Sequence, residues 1–233
     1  MLVKLQGGLG NQLFAWAYGY TESLKRNEPV YFDIGSLALG NPPRRYELDA
    51  YKIKVAFREP RQGDEIHDGY YQNERYFDAE KVKEKLIRPK GEPNRECRKL
   101  ALRIQSLPSC FIGVRRGDYL WPERINYHGV LPMSYYETAI KMMPTFTEFF
   151  IFTDDPGWCR EHFPYPIVEV NGKMEKAWDI WLMSLCRYAI IANSSFHWWG
   201  AWLGPGQKDR VIAPRNWYVQ SSETPVPTRW RTI

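Results

Sequence analysis

Short apolar runs alternate along this chain with stretches whose apolar residues recur at helical spacing. Leu2 to Leu5 is one such run; it breaks at Gly7, Gly8 and Gly10, and Leu13, Phe14, Ala17, Tyr18 and Leu24 then follow a helical period. The pattern predicts a strand, a glycine turn and a helix. Pro29 to Asp33 predicts a second strand, because its β-branched and aromatic residues are bounded by turn formers. From Gly35 to about Ile66 the Pro, Gly and Arg content predicts irregular surface structure. Helices are predicted over Tyr76 to Ile87 and Arg95 to Leu107, with Pro108 as the stop. Beyond Pro108, apolar runs at Cys110 to Val114, Phe149 to Phe152, Ile167 to Val170, Ala189 to Ala192 and Arg210 to Ala213 predict strands. Helical patterns over Ser134 to Met143 and Lys176 to Arg187 lie between them.

Strands that alternate with helices build a parallel sheet, and ligands of such sheets bind beyond the carboxyl ends of the strands. The fold class is therefore α/β, with a boundary placed near Pro108: residues 1–107 form an N-terminal lobe and residues 108–233 a C-terminal one. The ends of the predicted strands carry Arg115, Arg116 and Asp118, then Asp154 and Asp155, then Asn193, Ser194 and Ser195. Three polar clusters on one sheet edge make a candidate site.

Composition narrows the classes. The 233 residues are 44% hydrophobic and hold no repeat or low-complexity tract, which fits a compact globular protein. The formal charge of +5, from 32 basic and 27 acidic residues, is spread along the chain, and the dense basic pairs are Arg44-Arg45 and Arg115-Arg116. A nucleic-acid module gathers its cations on one face, whereas one arginine pair is enough for a small anion such as a diphosphate. Cys97, Cys110, Cys159 and Cys186 stand far apart without a CxxC pair, and His67, His128, His162 and His197 share no metal-ligand spacing. No metal site is expected, and the thiols are expected to be reduced and mostly buried. No apolar signal region follows Met1 and no run approaches the roughly 20 apolar residues of a membrane span, so a cytoplasmic location is expected.

RRGDY at Arg115 to Tyr119 sets two guanidinium groups, a turn glycine and a carboxylate after a buried strand. Arginine offers a fork of donors matched to phosphate oxygens; the plainer alternative is a surface turn in which Asp118 pairs with one arginine. GGLGNQLF at Gly7 to Phe14 lets a backbone approach a ligand and leaves helix N-terminal amides for an anion or a sugar hydroxyl, or is only a tight turn capped by Asn11. It is neither a full GxGxxG fingerprint nor a P-loop. Asp154 and Asp155 in FTDDPGW are placed to bind magnesium, a ribose or a base edge, or to cap a helix starting near Pro156. In NSSFHWWGAWL, Asn193, Ser194 and Ser195 stand at a helix start, where such residues bind anions or cap, and Trp198, Trp199 and Trp202 read as core.

Taken in order, GGLGNQLF, GYYQNERYF at Gly69 to Phe77, VRRGDY, TDD and IIANSSFHWWGAWL resemble the inverting α-1,2-fucosyltransferases of glycosyltransferase family 11, from the first residues to about Tyr218. The resemblance implies a GT-B-like architecture of two facing lobes, the C-terminal one a Rossmann-like parallel sheet that binds the donor and the N-terminal one on the acceptor side. It implies GDP-fucose as donor, no metal or other cofactor, and inverting transfer to a galactose or similar hydroxyl in membrane-associated glycan biosynthesis. By the same resemblance Arg115 holds the β-phosphate with Arg116 beside it, Ser194 or Ser195 contacts phosphate, Asp154 meets the guanine, and Gly8 and Asn11 line the cleft. Two positions depart from the pattern: Gly113 stands where the family usually has a histidine that helps seat the nucleotide, and His197 where it usually has a serine. For the base that takes the acceptor proton, Asp118 is the first candidate, with Glu74 and His128 on the acceptor side as rivals. The alternatives are a binding protein without turnover and a transferase with another donor, such as GDP-mannose.

Overall fold

The computed structural model describes residues 1–40, 42–171, 175–204 and 210–233. The chain divides into two units, Met1–Gly91 and Glu92–Ile233. The first opens with strand β1 (Leu2–Lys4) and helix α1 (Leu9–Arg26). Leu9, Leu13, Trp16 and Ala17 lie on the buried side of α1, Lys25 and Arg26 sit in its last turn where the helix dipole favours cations, and Asn27 closes it at φ 52°. Strand β2 (Tyr31–Asp33), short helix α2 (Gly35–Ala38), β3 (Ala56–Phe57), β4 (Ile66–His67) and helix α3 (Ala79–Leu86) follow.

Among the described residues the first sheet runs β3-β2-β1-β4 with every pair parallel, and Val3 stands between Phe32 and His67. The stretch expected to be irregular therefore supplies β3 and leads into β4. Each of these edge strands spans two residues, too few for alternation to register. The helix expected from Tyr76 begins instead at Ala79, where the Asp78 carboxylate accepts from Lys81 N at 3.1 Å. Glu74–Tyr76 forms a separate 3-10 turn.

The second unit holds α4 (Arg95–Ser106), β5 (Ser109–Val114), α5 (Pro122–His128), α6 (Met133–Lys141), β6 (Glu148–Thr153), α7 (Pro156–His162), α8 (Lys176–Leu185), β7 (Tyr188–Ile190), α9 (Ser195–Leu203), β8 (Val211–Ala213) and β9 (Arg231–Thr232). The division after Gly91 falls ahead of the boundary expected near Pro108, because α4 packs with the C-terminal elements. Its buried residues are Cys97, Ala101 and Ile104, it packs on α8, and Ser109 Oγ donates to Ile104 O at 2.8 Å. An amphipathic helix goes with whichever core receives its apolar stripe, and spacing alone does not say which.

The second sheet runs β6-β5-β7-β8-β9, again parallel throughout. Ile167 to Val170, expected as a strand, makes only a single bridge, Ile167 to Ile151. Val168 N donates to Ile151 O at 2.8 Å, but Pro164 and Pro166 have no N–H to extend the ladder. The two-residue β9 was not legible in the pattern.

All of β5 is buried. Its alternation sends Cys110, Ile112 and Val114 into a core shared with Tyr135, Tyr136 and Ala139 of α6 and Cys159 of α7, and turns Gly113 toward α9. Burial of each large aliphatic side chain there contributes about 1.5 to 3 kcal/mol. Trp198 and Trp199 of α9 are fully buried, and Trp198 Nε1 donates to Pro225 O at 2.9 Å, so the tryptophans are core. All four cysteines are buried and unpaired. Among the described residues no helix is long and apolar enough to cross a membrane.

Candidate active site

Val114 and Thr153 are register partners, so the segments that leave β5 and β6 emerge side by side. Arg115 directly follows β5, and a 3-10 turn over Gly117–Leu120 brings Asp118 back to it. Arg115 Nη2 donates to Asp118 Oδ1, and Arg115 Nη1 lies 2.8 Å from Asp154 Oδ2. Arg124 Nη1 holds the other oxygen of Asp118 at 2.8 Å. Asp154 Oδ1 accepts from Arg116 N at 2.9 Å, and its carboxylate packs so closely on Gly117 that a Cβ there has no room. Arg116 Nε reaches Asp155 Oδ2 at 3.1 Å, with the guanidinium 4.2 Å over the Trp158 ring, while Asp155 Oδ1 caps α7 by accepting from Trp158 N at 3.1 Å.

Three arginines thus alternate with three carboxylates, and the ion pairs hold the guanidinium groups in place. Burial works to lower the Arg115 pKa, but Asp154 and Asp118 outweigh it and hold the group above its ordinary value, so it stays charged. A guanidinium has five N–H donors, and the two carboxylates engage Nη1 and Nη2 only. Three donors of Arg115 are left over, one of them the buried Nε without a partner. Asp118 is differently placed from the base expected of it: its side chain is 8% exposed and both oxygens face arginines.

Tyr119 ties this cluster to the segment after β7. Its ring lies 5.0 Å from the Arg115 guanidinium and its hydroxyl donates to Asn193 O at 3.0 Å. Burial pushes the Tyr119 hydroxyl up to about 12, so it remains a donor. Asn193 Nδ2 donates to His128 O at 2.6 Å and to Trp217 O at 3.2 Å, and Asn193 Oδ1 is buried without a partner. An acceptor left unmet in this way suits a ligand N–H or O–H. Ser194 is the N-cap of α9 without a side-chain cap bond and Ser195 is the first helical residue, so the first-turn amides of α9 face the same strand end. His128 stacks on Tyr119 at 4.2 Å, and burial, with Arg124 second, lowers its pKa to about 4.

The two departures noted in the sequence meet in space. A Cβ at Gly113 would lie 2.5 Å from His197 Cγ, so the imidazole of α9 fills the place of a side chain on β5. Burial, then the Arg115 charge, lowers the His197 pKa to about 3.

Gly8, Asn11 and Glu74 lie in the first unit. Gly7 has φ +70°, and a Cβ there would also come within 2.5 Å of Asn11 Nδ2, so the turn requires glycine on both counts. Gly8 caps α1 through its backbone only. Asn11 is not the cap; it sits inside the first turn, and its Oδ1 accepts from Gln72 Nε2 at 2.6 Å. The fully buried Gln12 donates to Gly7 O at 3.0 Å and Arg45 O at 2.8 Å and accepts from Glu47 N at 2.9 Å, joining the glycine turn to a distant loop. Glu74 opens the 3-10 turn after Tyr71, a tyrosine held at φ 50° and stacked 3.9 Å from Tyr18.

The second unit therefore brings together Arg115, Arg116, Asp118, Asp154 and, through Tyr119, His128 and the Asn193–Ser195 segment. Tyr119, Arg124 and Gln12 were not singled out from the sequence. Gln12 left a trace, a polar residue on the apolar face of α1; Arg124 lies in a short helix without a periodic pattern.

Residues 52–229 match the sequence model of a family described as Glycosyl transferase family 11. An alpha-1,2-colitosyltransferase of Escherichia coli is 30% identical over 288 aligned positions that cover 100% of this chain and 98% of that protein. The O-antigen biosynthesis glycosyltransferase WbnK of Escherichia coli is 40% identical over 119 residues, 48% of this chain and 39% of that one. Galactoside alpha-(1,2)-fucosyltransferase 2 of Oryctolagus cuniculus is 25% identical over 88% of this chain and 67% of its own. The crystal structure of the NodZ alpha-1,6-fucosyltransferase soaked with GDP-fucose superposes with a TM-score of 0.52 at 12% identity, over 88% of this chain and 92% of that one. The fold is the GT-B-like α/β fold expected from the motifs. With the family model matched over most of its length and a relative aligned from end to end, the chain belongs to glycosyltransferase family 11, a family of fucosyltransferases.

Proposed function

We propose that this glycosyltransferase moves L-fucose from GDP-fucose to a galactose-type hydroxyl, forming an α-1,2 linkage with inversion and without a metal ion. The observation that carries the proposal is Arg115, charged, fixed by Asp118 and Asp154, and left with N–H donors beyond those two carboxylates. In an inverting transfer the acceptor oxygen bonds to the sugar C1 as the C1–O bond to the diphosphate breaks in line. GDP leaves with the bonding electrons, and the acceptor proton passes to a base. Arg115 and Arg116 supply the positive charge that meets the leaving diphosphate, and the amides of α9 add to it. Asp154 and Asp155 already serve arginine partners, which favours a site built on guanidinium groups over one built on a cation. Asp118, with both oxygens on arginines, orients them; His128, neutral and stacked on Tyr119, is the candidate of this unit for the proton.

The end-to-end match to a protein named an alpha-1,2-colitosyltransferase favours GDP-colitose as the second reading of the donor. The experiment is GDP release by purified protein in EDTA with GDP-fucose, GDP-colitose or GDP-mannose and a panel of β-galactosides. Acceptor-dependent release with GDP-fucose, reduced about 100- to 1,000-fold in Arg115→Ala with the fold intact, supports the proposal. Faster release with GDP-colitose moves the second reading forward, and GDP binding without release on any acceptor overturns both.

A further inference from the structure

We propose that Tyr127 and Tyr218 form the platform on which the acceptor sugar stacks, a galactose-configured ring laid against the tyrosines with its C2 hydroxyl turned toward the arginine cluster. The inference deepens the proposed function and rests on its reading that Arg115 meets the donor diphosphate. Aromatic rings make a continuous path outward from that residue. Tyr119 lies 5.0 Å from the Arg115 guanidinium, His128 stacks on Tyr119 at 4.2 Å, and Tyr127 stands edge-on to His128 at 4.8 Å. Tyr218 closes the set, 5.0 Å from Tyr127 and 6.1 Å from His128. Tyr119 is buried and His128 and Tyr218 are partly buried, while Tyr127 is 53% exposed. The path therefore opens to solvent at Tyr127.

The platform is held by a residue of the site itself. The buried Asn193 donates to His128 O at 2.6 Å and to Trp217 O at 3.2 Å, so one side-chain amide ties together the two segments that carry the rings. Val219 N adds a bond to Tyr127 O at 2.9 Å, and Gly129, at φ 70°, leaves room for the Val219 side chain. Rings held in this way have little freedom left to lose when a ligand covers them.

Position and chemistry select the occupant. The acceptor oxygen must reach the sugar carbon whose diphosphate leaves from Arg115, so the acceptor ring lies beside this cluster. In galactose the axial C4 hydroxyl leaves the C–H bonds at C3, C4 and C5 together on the opposite face. That apolar patch packs on an aromatic ring and leaves the C2 hydroxyl free at the edge. The helix that carries Tyr127 also exposes Glu123 and Asn126, which match sugar hydroxyls and not a lipid surface. Ile125 and Val219 are exposed nearby, so the bilayer alternative is one arm of the test.

Tyr127→Phe keeps the ring, whereas Tyr127→Leu and Tyr218→Leu keep apolar bulk without it. Each is measured for melting temperature, GDP affinity, and kcat and KM toward methyl β-galactoside at saturating GDP-fucose. Saturation-transfer NMR on the galactoside in the presence of GDP maps which sugar protons touch the protein. We expect the leucine variants to raise the acceptor KM about 3- to 10-fold with parental GDP affinity, and Tyr127→Phe to stay within about two-fold of the parent. The protons on C3, C4 and C5 receive the strongest saturation in the parent and lose it in Tyr127→Leu. A folded Tyr127→Leu with parental acceptor KM overturns the inference. So does one whose GDP affinity falls as far as its acceptor KM rises, since the ring then only braces the arginines. Binding of the parent to phosphatidylglycerol vesicles that both leucine variants lose, with acceptor kinetics unchanged, overturns it in favour of a membrane contact. A parent with neither turnover of the galactoside nor saturation transfer to it overturns it as well. Arg115→Ala tells the two levels apart: unchanged GDP affinity there sinks the site reading, whereas lost GDP affinity there beside a parental acceptor KM in Tyr127→Leu sinks only the platform.

Discussion

Gly117→Ala tests the carboxylate frame around Arg115 without removing a charge. Gly117 does not occupy the left-handed region, so alanine meets no backbone strain there; what it meets is Asp154. The added Cβ would press on Oδ2 of that carboxylate and stand 3.1 Å from its Cγ. Asp154 cannot retreat freely, because Oδ1 accepts from Arg116 N at 2.9 Å and Oδ2 lies 2.8 Å from Arg115 Nη1. To make room the carboxylate must turn and give up one of them. A hydrogen bond to a charged group is worth roughly 1.5 to 3 kcal/mol, and a side chain that is 28% exposed recovers part of that from water. The expected loss of stability is about 1 to 2 kcal/mol, or roughly 2 to 8 °C in melting temperature for a chain of this size. Activity should suffer more, since a guanidinium shifted by about 1 Å from where charge develops can cost on the order of 100-fold. Thermal denaturation and GDP-release kinetics read the two effects separately. Adding Asp154→Ala should make the glycine substitution nearly silent, because the clash and the frame are then both gone. A Gly117→Ala protein with parental melting temperature and parental kcat would refute this placement of Asp154.

The other perturbations act on individual contacts. Asp118→Asn should weaken GDP affinity together with kcat, because the carboxylate holds Arg115 and Arg124; loss of kcat alone, with GDP affinity intact and the acidic limb of the pH–rate profile gone, would restore it as the base. Gln12→Ala removes the buried side chain that bonds Gly7 O, Arg45 O and Glu47 N in a partly buried place and should cost about 1 to 3 kcal/mol in urea unfolding. The Asp179 carboxyl is pushed up to about 6 by burial, above its ordinary 3.8, so the fold binds its proton more tightly than the unfolded chain does. Its contribution is therefore full below about pH 4 and is lost as pH rises through 6, by an amount on the order of 2 to 3 kcal/mol. Asp179→Asn should match the parent near pH 4 and exceed it in stability near pH 7; parallel melting-temperature curves across that range would count against the burial of this group.

How far the sequence carries depends on whether a contact is local. The run Cys110 to Val114 and the charged residues after it were readable because strand, turn and Asp118 lie within one short segment, and alternation fixes which side chains share a face. The bracing role proposed for Asp118 was not readable, because it depends on Arg124 closing from α5 on the second oxygen. Without that partner a carboxylate beside an arginine is equally a base and a brace. Gln12 and Tyr119 were missed for the same reason: each looks like an ordinary helix or turn residue until its bonds to Arg45, Glu47 and Asn193 are in place. The edge strands β3 and β4 failed for want of length, and α4 was set on the wrong side of the boundary because an apolar stripe does not name its core.

Gly113 and His197 show the sharper form of this limit. Read one at a time, a glycine in a strand is a weakness and a histidine in an apolar helix is a polar residue out of place. In the fold the missing side chain makes room for the extra ring, which packs over the glycine of β5. Either substitution alone would leave a void or a collision against β5, so the two positions must be changed together or not at all. That coupling is itself measurable: Gly113→Ala should be damaging with His197 present and close to neutral once His197→Ala has emptied the space.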